Sequence, residues 1–305
     1  MKTNNYNIDN YIVIGKNFYR ERNIDRALEF YNKAYRSIKG KQDVELLLDM
    51  AIIYDELDEF SLAEEKYKEV ILIDKDDARA YYGLGTICDT KEENEEAAEF
   101  YEKAIALNPE YNRAYFFLAN VYEALGKNEK AIEAYKKVIE LDPEDFWAYT
   151  NLSCIYEESG DNKLALDLLE ESLRIDPNQY LALFNMGVVL VKLHREEEGI
   201  TFYKRSIQEN LNYPYSYLNL AVIYKERGFY DIALKIITGG ILNNSDVGFL
   251  YYNRACFYVH QEKTQEALKD LEIAIELYPG FTQYIKEDEE LDPLRNLPGF
   301  KELSE

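Results

Sequence analysis

The chain has 305 residues, 47% of them hydrophobic, and carries a formal net charge of −23. This length fits one elongated array or two globular domains, and the hydrophobic fraction is sufficient for a core. Nucleic acid and anionic membrane surfaces are not expected partners, because both bind basic faces and this chain is acidic.

The N-terminal stretch MKTNNYNIDNYIVIG lacks the apolar core of a signal peptide, and no apolar run is long enough to span a membrane. The cysteines Cys88, Cys154 and Cys256 are odd in number and far apart, which is typical of reduced thiols. We therefore expect a soluble protein of the cytoplasm, with residues 1–7 as an N-terminal extension.

A 34-residue period organises most of the chain. The predicted frames are 8–41, 44–77, 78–111, 112–145, 146–179, 180–213, 214–247 and 248–281. Only Gln42 and Asp43 separate the first frame from the second. Apolar residues recur at three- and four-residue spacing in each frame, so each frame is predicted to form two amphipathic helices, A and B.

Small residues occupy two columns of the frame, which predicts close approach of paired helices. The eighth position reads Gly15, Ala51, Gly85, Ala119, Ser153, Gly187, Ala221 and Ala255. The twentieth position reads Ala27, Ala63, Ala97, Ala131, Ala165, Gly199, Ala233 and Ala267. Aromatic residues fill other columns, and the twenty-fourth position holds tyrosine in five frames (Tyr31, Tyr67, Tyr101, Tyr135 and Tyr203). Most of the 28 tyrosines are therefore expected to pack between helices.

Glycine and proline mark the predicted ends of the helices. Gly126, Gly160 and Gly228 fall at the turn between helices A and B, where glycine ends helices well. Frames end in Asn108-Pro109, Asp142-Pro143, Asp176-Pro177 and Tyr278-Pro279, where proline closes one helix before the next begins.

One frame, 112–145, carries Tyr115, Leu118, Ala119 and Tyr122 in its helix A segment and Ala131, Tyr135 and Pro143 in its helix B segment. In these residues the chain resembles the tetratricopeptide repeat family. The resemblance implies an all-α fold, an α-α superhelix of eight repeats, with helix A on the concave face. It also implies that frame positions 2, 5, 6, 9 and 12 point into the groove. Residues 282–305 resemble the capping segment that follows such arrays, and its acidic run Glu287–Glu290 is expected to be a solvated face.

Catalysis is not expected. The two histidines, His194 and His260, fall at turns between helices, and the groove cysteines Cys154 and Cys256 have no histidine partner in the pattern. Neither a phosphate-binding glycine loop nor a Cys/His zinc spacing occurs, so we expect no cofactor and no metal.

Asparagine holds the sixth frame position in four successive frames, as Asn151, Asn185, Asn219 and Asn253. An amide donates and accepts, so such a ladder suits the backbone of an extended peptide. Large apolar residues accompany it at the second position (Trp147, Leu181, Tyr215 and Phe249) and the fifth (Phe184, Leu218 and Tyr252). The predicted peptide-binding site comprises these residues together with Asn120.

Three alternatives remain open for this groove. The amides are also common in the family's general pattern, and the aromatic residues suit packing between repeats or contact with a second copy of the chain. Asn120 and Asn151 match the two amides of a carboxylate clamp known in the family, but Phe116, Leu181 and Asn185 stand in place of its cations. A receptor for chaperone tails is therefore disfavoured.

The N-terminal half of the predicted groove is acidic, with Glu45, Asp49, Asp55, Asp89 and Glu123 against Arg79 and Arg113. These charges either attract a basic partner segment or only keep the chain soluble. The leading prediction is a non-catalytic, monomeric adaptor that binds a protein or peptide segment in its groove. The alternative is a self-associating structural scaffold.

Overall fold

The computed structural model describes residues 2–303, with side chains in 7–303. The described residues form eighteen α-helices and two 3-10 helices, and none of them forms a β-strand. The predicted all-α class of tandem helix pairs is confirmed. The chain divides into two compact units, residues 1–148 (unit 1) and 149–305 (unit 2).

Unit 1 consists of consecutive A and B helices with one short 3-10 helix, Gly40–Gln42, after the first pair. Its helices are α1 (Lys2–Arg20), α2 (Ile24–Tyr35), α3 (Val44–Glu56), α4 (Phe60–Ile73), α5 (Ala78–Thr90), α6 (Asn94–Leu107), α7 (Asn112–Ala124) and α8 (Asn128–Leu141).

Helix α9 extends over Phe146–Glu158, and the remaining helices belong to unit 2. They are α10 (Asn162–Ile175), α11 (Tyr180–Lys192), α12 (Glu196–Glu209), α13 (Pro214–Glu226), α14 (Tyr230–Asn243), α15 (Gly248–Val259), α16 (Thr264–Leu277), α17 (Phe281–Glu287) and α18 (Pro298–Leu303). A 3-10 helix, Glu289–Leu294, lies between the last two.

The turn from helix A to helix B has the same backbone conformation in every frame. Its fifteenth residue has a positive φ, between 58° and 85°, whether or not it is glycine. The eight residues are Arg22, Asp58, Glu92, Gly126, Gly160, His194, Gly228 and Glu262. A left-handed residue ends a helix and lets the chain reverse, so helices A and B lie side by side. Five of the eight turns reach this geometry without glycine, which the glycine pattern alone did not predict.

Five of the eight B helices end in a turn held by an aspartate or asparagine side chain. The Oδ1 atoms of Asp74, Asn108, Asp142, Asp176 and Asn210 each accept from the backbone N–H two residues later, at 2.9–3.2 Å. Lys75 and Leu211 follow two of these residues where other frames have proline. The side-chain acceptor is therefore common to all five junctions, and proline only reinforces the turn.

Glycines in the small-residue columns make room for tyrosine rings. A Cβ atom on Gly85 would lie 2.7 Å from the Tyr101 ring, and one on Gly187 would lie 2.6 Å from the Tyr203 ring. Real Cβ atoms do not approach so closely, so alanine at either position would displace the ring. Gly199, the exception to alanine in the twentieth column, is equally constrained, because a Cβ there would lie 2.8 Å from Val191.

The capping segment covers the last helix pair of unit 2. Ile285, Leu291, Leu294 and Phe300 are at most 3% exposed and join the same apolar cluster as Leu271. A terminal repeat needs such a cover for its apolar face.

The prediction that the run Glu287–Glu290 is solvated was wrong for two of its residues. Asp288 accepts a hydrogen bond from the hydroxyl of Tyr252. Glu290 pairs with Lys225, and its Oε1 lies 3.5 Å from His260 Nε2. These carboxylates fasten the capping segment to helices α13 and α15. The missed signal was the pair of partners, Lys225 and His260, which lie 65 and 30 residues earlier than Glu290 in the sequence.

No helix among residues 2–303 is long and apolar enough to cross a membrane. All three cysteines are free thiols. Helices begin at Val44, Ala78, Asn112, Phe146, Tyr180, Pro214 and Gly248, in steps of 34 residues. The division into eight repeats, an extension at 1–7 and a capping segment at 282–305 stays a prediction.

Candidate functional site

The ladder residues Asn185, Asn219 and Asn253 each donate a hydrogen bond within unit 2, and each has a different partner. Asn185 Nδ2 donates to Cys154 Sγ at 3.1 Å, and Asn219 Nδ2 donates to the Tyr203 hydroxyl at 3.3 Å. Asn253 Nδ2 donates to the backbone carbonyl of Phe249 at 2.8 Å. All three side chains are partly buried. The donor side of each amide is therefore fixed by the protein, and its orientation is defined.

The acceptor side of these three amides is open. Within residues 7–303, no side chain or backbone group donates to the Oδ1 atoms of Asn185, Asn219 or Asn253. These oxygens are also absent from the buried polar atoms that lack a partner, so each is accessible to solvent. A ligand N–H can bind there without displacing an internal hydrogen bond.

Asn185 lines a cavity of about 200 Å³ between helices α9 and α11. Cys154 and Phe184 form its walls, and Glu157 and Glu158 lie at its border. The Glu157 carboxylate pairs with Lys192. The cavity therefore combines an oriented amide with an aromatic wall, which suits a small apolar side chain next to a peptide bond.

The predicted aromatic residues of unit 2 form a connected group. Tyr215 stacks on Phe249 with ring centroids 5.0 Å apart, and Phe184 lies 5.1 Å from Tyr213. Tyr215 is 48% exposed, whereas Phe184 packs partly into the core around Ile200 and Tyr203. Leu218 and Phe249 likewise pack against the core of unit 2, and Leu181 is partly buried. The aromatic residues thus serve packing between helices as well as the surface.

The capping segment occupies one end of the predicted site. The Tyr252 ring stacks on Phe281 at 5.2 Å, and its hydroxyl donates to Asp288. Both the face and the polar tip of Tyr252 are therefore engaged by the protein itself.

Two predicted residues, Asn120 and Trp147, belong to unit 1. Asn120 accepts a hydrogen bond from the Tyr135 hydroxyl. Trp147 is 40% exposed and lines a cavity of about 320 Å³ with Arg113, Phe116 and Phe117. Asn151, the first rung of the ladder, is partly buried on α9 in unit 2.

Unit 1 contains a larger cavity, of about 440 Å³, on the face formed by helices α3 and α5. It is lined by the carboxylates of Glu45, Asp49, Asp55 and Glu56, by the guanidinium groups of Arg79 and Arg113, and by phenol rings including Tyr67, Tyr82 and Tyr111. The Arg79 guanidinium is held by Asp77 at 2.7 Å and by Glu45 at 2.8 Å. The Asp49 carboxylate lies 3.3 Å from Lys16 Nζ and accepts from Tyr31.

Sequence reasoning identified Glu45, Asp49 and Asp55 of this cavity but missed Glu56 and Tyr67, and the column of Tyr67 predicts packing between helices. Tyr67 is only 4% exposed, yet it lines the cavity. A Cβ atom on Gly83 would lie 2.1 Å from Tyr67 Cζ, so the tip of the ring crosses the place where other frames carry a side chain. The missing side chain at the sixth position of this frame was the signal in the sequence.

Among residues 7–303, the side chains capable of nucleophilic or acid–base chemistry do not form a catalytic set. His194 is exposed at a turn, and His260 ends α15 and stacks on Tyr230 at 5.0 Å. Ligand atoms of Cys256, Asp288 and Glu290 lie within 4.8 Å of one another. Burial raises the pKa of the Cys256 thiol, with Asp288 next in effect, so this thiol is a poor nucleophile. Asp288 and Glu290 already bind Tyr252 and Lys225, which gives this cluster a structural role.

Models of known protein families match several parts of the chain. Two family models described as "Tetratricopeptide repeat" match residues 78–111 and residues 148–179 and 250–281, and a model described as "TPR repeat" matches 119–160. No curated protein matches the chain.

Several solved structures are similar. MamA is 31% identical over 54% of this chain and 95% of its own, with a TM-score of 0.50. A tetratricopeptide repeat protein from Parabacteroides merdae ATCC 43184 is 18% identical over 86% of this chain and 97% of its own, with a TM-score of 0.63. YrrB, described as a TPR protein with an unusual peptide-binding site, is 22% identical over 61% of this chain and 95% of its own, with a TM-score of 0.53.

Tandem helix pairs that recur every 34 residues define a helical-repeat protein. The chain belongs to the tetratricopeptide repeat family, as its sequence resemblance predicted. Proteins of this family are generally non-catalytic modules for protein interaction, and the fold supports that general role here.

Proposed function

We propose that this protein is a non-catalytic scaffold of the cytoplasm that binds an extended segment of a partner protein along the asparagine face of unit 2. The observation that carries the proposal is the open acceptor on Asn185, Asn219 and Asn253, each oriented by an internal bond of its own amide nitrogen. Partner proteins, rather than nucleic acids or membranes, suit the net charge of −23. The description of YrrB as a peptide-binding protein agrees with this proposal.

The spacing of the amides suits a peptide backbone. Neighbouring helices pack about 8–10 Å apart, and an extended peptide rises about 3.3 Å per residue. Successive amides therefore meet about every third peptide residue. Each net hydrogen bond contributes about 0.5–1.5 kcal/mol, so apolar contacts at Tyr215 and in the Asn185 cavity must add to the affinity.

The test compares two variants of the full chain. In the first, Asn185, Asn219 and Asn253 are all replaced by alanine; in the second, the exposed Asn178 and Asn212 are replaced as a matched control. Twelve-residue peptides selected on the wild-type protein from a random display library are then measured against both. We expect the triple variant to lose more than tenfold in affinity, from three lost bonds of about 0.5–1.5 kcal/mol each, and the control to bind like the wild type. Unchanged affinity of the triple variant contradicts the proposal, and unfolding of the triple variant shows that the amides are structural.

Self-association is the second candidate, favoured by the exposed Tyr215 ring stacked on Phe249. An adaptor is expected to sediment as a monomer at all concentrations when no partner is present. A concentration-dependent dimer that Tyr215→Ser abolishes supports the structural scaffold instead.

A further inference from the structure

The cavity of about 440 Å³ in unit 1 contains polar groups that form no hydrogen bond with other groups in residues 7–303. The Asp55 carboxylate makes no hydrogen bond or ion pair with any group in residues 7–303. The hydroxyls of Tyr67, Tyr82 and Tyr111, which line the same cavity, also have no hydrogen-bond partner in that range. Each of these four groups can therefore form a hydrogen bond with a ligand that enters the cavity.

Tyr67 is the strongest single observation. Only 4% of this residue is exposed, yet its hydroxyl is not among the buried atoms without a partner. The hydroxyl is therefore accessible, and Tyr67 lines the cavity. Gly83 makes this possible, because any side chain there would collide with the ring.

The lining of the cavity is net negative, with four carboxylates against two guanidinium groups, which favours a cation. Of its two guanidinium groups, that of Arg79 is neutralised by Asp77 and Glu45, and only Arg113 is uncommitted. Burial raises the pKa of the Asp55 carboxyl, and the neighbouring charges of Asp58 and Glu56 raise it further. A carboxylate in this position is stabilised by an arriving positive charge.

The phenols suit the same ligand. Burial raises the pKa of Tyr111 to about 12, so this phenol stays neutral at physiological pH. Burial also raises the pKa of Tyr67 and Tyr82, and the Asp55 charge adds to both shifts. A neutral phenol oxygen accepts from an ammonium or guanidinium N–H, and its ring face attracts the cation. The Tyr82 and Tyr111 rings lie close together, with centroids 4.9 Å apart.

We infer that this cavity binds the side chain of a lysine or arginine from a partner protein, with Asp55 as the counter-ion and Tyr67, Tyr82 and Tyr111 as its cage. The partner segment is basic at this position, in keeping with the acidic surface of the chain. The cavity shares no residue with the asparagine face of unit 2, so it is independent of the function proposed above.

The test uses the full chain with 13C-labelled tyrosine rings and a capped peptide, acetyl-Gly-Ser-Lys-Ser-Gly-amide. Two matched peptides carry norleucine or acetyl-lysine in place of the lysine. We expect the lysine peptide to shift the resonance that Tyr67→Phe removes, in a saturable way, and the two uncharged peptides to leave it unmoved. Equal shifts with norleucine overturn the assignment.

Variants separate a site from general attraction by negative charge. Asp55→Asn is expected to weaken binding at least about tenfold, since it removes a charged hydrogen-bond partner. Tyr67→Phe keeps the charge and is expected to weaken binding about three- to tenfold, read from the Tyr82 and Tyr111 resonances. Glu96→Gln is the control, because it removes one negative charge from an exposed residue of α6 that does not line the cavity. It is expected to change affinity less than twofold.

Arg113→Gln decides the sign of the ligand. A cationic ligand is expected to bind about two- to fivefold more tightly once this uncommitted positive charge is removed, because its interaction with the exposed Arg113 is screened but repulsive. Weaker binding by Arg113→Gln, or equal losses in Asp55→Asn and Glu96→Gln, contradicts the proposal. The triple asparagine variant of unit 2 is expected to bind the lysine peptide like the wild type. The two proposals are therefore tested separately, and one can fail without the other.

Discussion

Tyr67 in unit 1 and Tyr203 in unit 2 hold the same frame position, but their hydroxyls have opposite roles. The Tyr203 hydroxyl accepts from Asn219, at the sixth position of the next helix A, and so orients an amide of the predicted ladder. In the equivalent place beyond Tyr67 the chain has Gly83, and the phenol itself reaches the cavity. One residue on the following helix thus decides whether the surface offers an amide or a phenol.

The difference extends to the charge of the two surfaces. The unit 1 cavity contains four carboxylates and two guanidinium groups, whereas the Asn185 cavity of unit 2 contains two carboxylates beside neutral groups. Unit 1 therefore has the chemistry for a charged side chain, and unit 2 has the chemistry for a peptide backbone. A repeat array can vary its ligand chemistry in this way without changing the residues that pack its helices.

Gly83→Ala has the largest expected effect on this contrast. Its new Cβ would lie 2.1 Å from Tyr67 Cζ, so the ring must move, and we expect unit 1 to lose about 1–3 kcal/mol of unfolding free energy. The control is Gly239→Ala in α14, where the nearest heavy atom is 3.8 Å away and alanine favours the helix by up to about 1 kcal/mol. Urea unfolding followed by circular dichroism measures both. A stable Gly83→Ala protein would show that Tyr67 is free to leave the cavity.

Removing the two hydroxyls separates a bonded tyrosine from an unbonded one. Tyr203→Phe deletes the partner of Asn219 and is expected to cost about 0.5–1.5 kcal/mol. Tyr67→Phe deletes a hydroxyl with no internal partner and is expected to change stability by less than about 0.5 kcal/mol. Chemical denaturation of the two variants provides the comparison. Equal losses would mean that both hydroxyls stabilise the fold.

The units also differ in their turns, because unit 1 has three left-handed residues that are not glycine and unit 2 has two. Glu92→Gly in unit 1 and His194→Gly in unit 2 are each expected to gain about 0.5–1 kcal/mol by relieving an unfavourable φ near 60°. Gly160→Ala, at the same turn position, is expected to lose about as much. Melting temperatures of the three variants test the sign; a loss in either glycine variant contradicts the interpretation.

Asp55→Asn has the smallest expected effect on stability. The variant is expected to become more stable although it binds the lysine peptide more weakly. The folded-state pKa of Asp55 is raised, so its charge destabilises unit 1 at neutral pH, and the variant is expected to gain up to about 0.5 kcal/mol. The gain should disappear as the pH falls below the ordinary aspartate pKa, where the carboxyl is protonated both folded and unfolded. Denaturation at pH 7 and pH 3 measures this. A loss of stability at pH 7 would assign Asp55 a structural role.

The fold was predictable because its determinants are local and repeated. The alanine and glycine columns, with five tyrosines at the twenty-fourth position, are enough to predict the helix pairs. Asp74 and Asn210 show what was overlooked, since they end their helices without a following proline. Their side-chain acceptor was present in the sequence as a column of Asp and Asn residues.

The site was less predictable, because it depends on where individual side-chain tips end. The sequence indicated Asn185, Asn219 and Asn253 but not their three different partners, since Cys154 and Tyr203 belong to other helices. Tyr67 shares its column with tyrosines that bond to protein groups, so no pattern within one frame distinguishes it. Only the neighbouring Gly83, with the geometry of the paired helices, makes its hydroxyl available.

The last helix pair carries a feature that bears on the fidelity of folding. At the seventh frame position the other frames have an apolar residue, whereas α15 has Arg254, whose guanidinium binds Asp270 on α16 at 2.6 and 2.7 Å. At the position of Asp270, the earlier B helices of unit 2 have Leu168, Phe202 and Ile236. Were α15 to pair with any of those helices, it would bury the arginine without a carboxylate, at a cost of several kcal/mol. The ion pair thus disfavours misassembly, because α15 is incompatible with the similar B helices that precede α16 in unit 2.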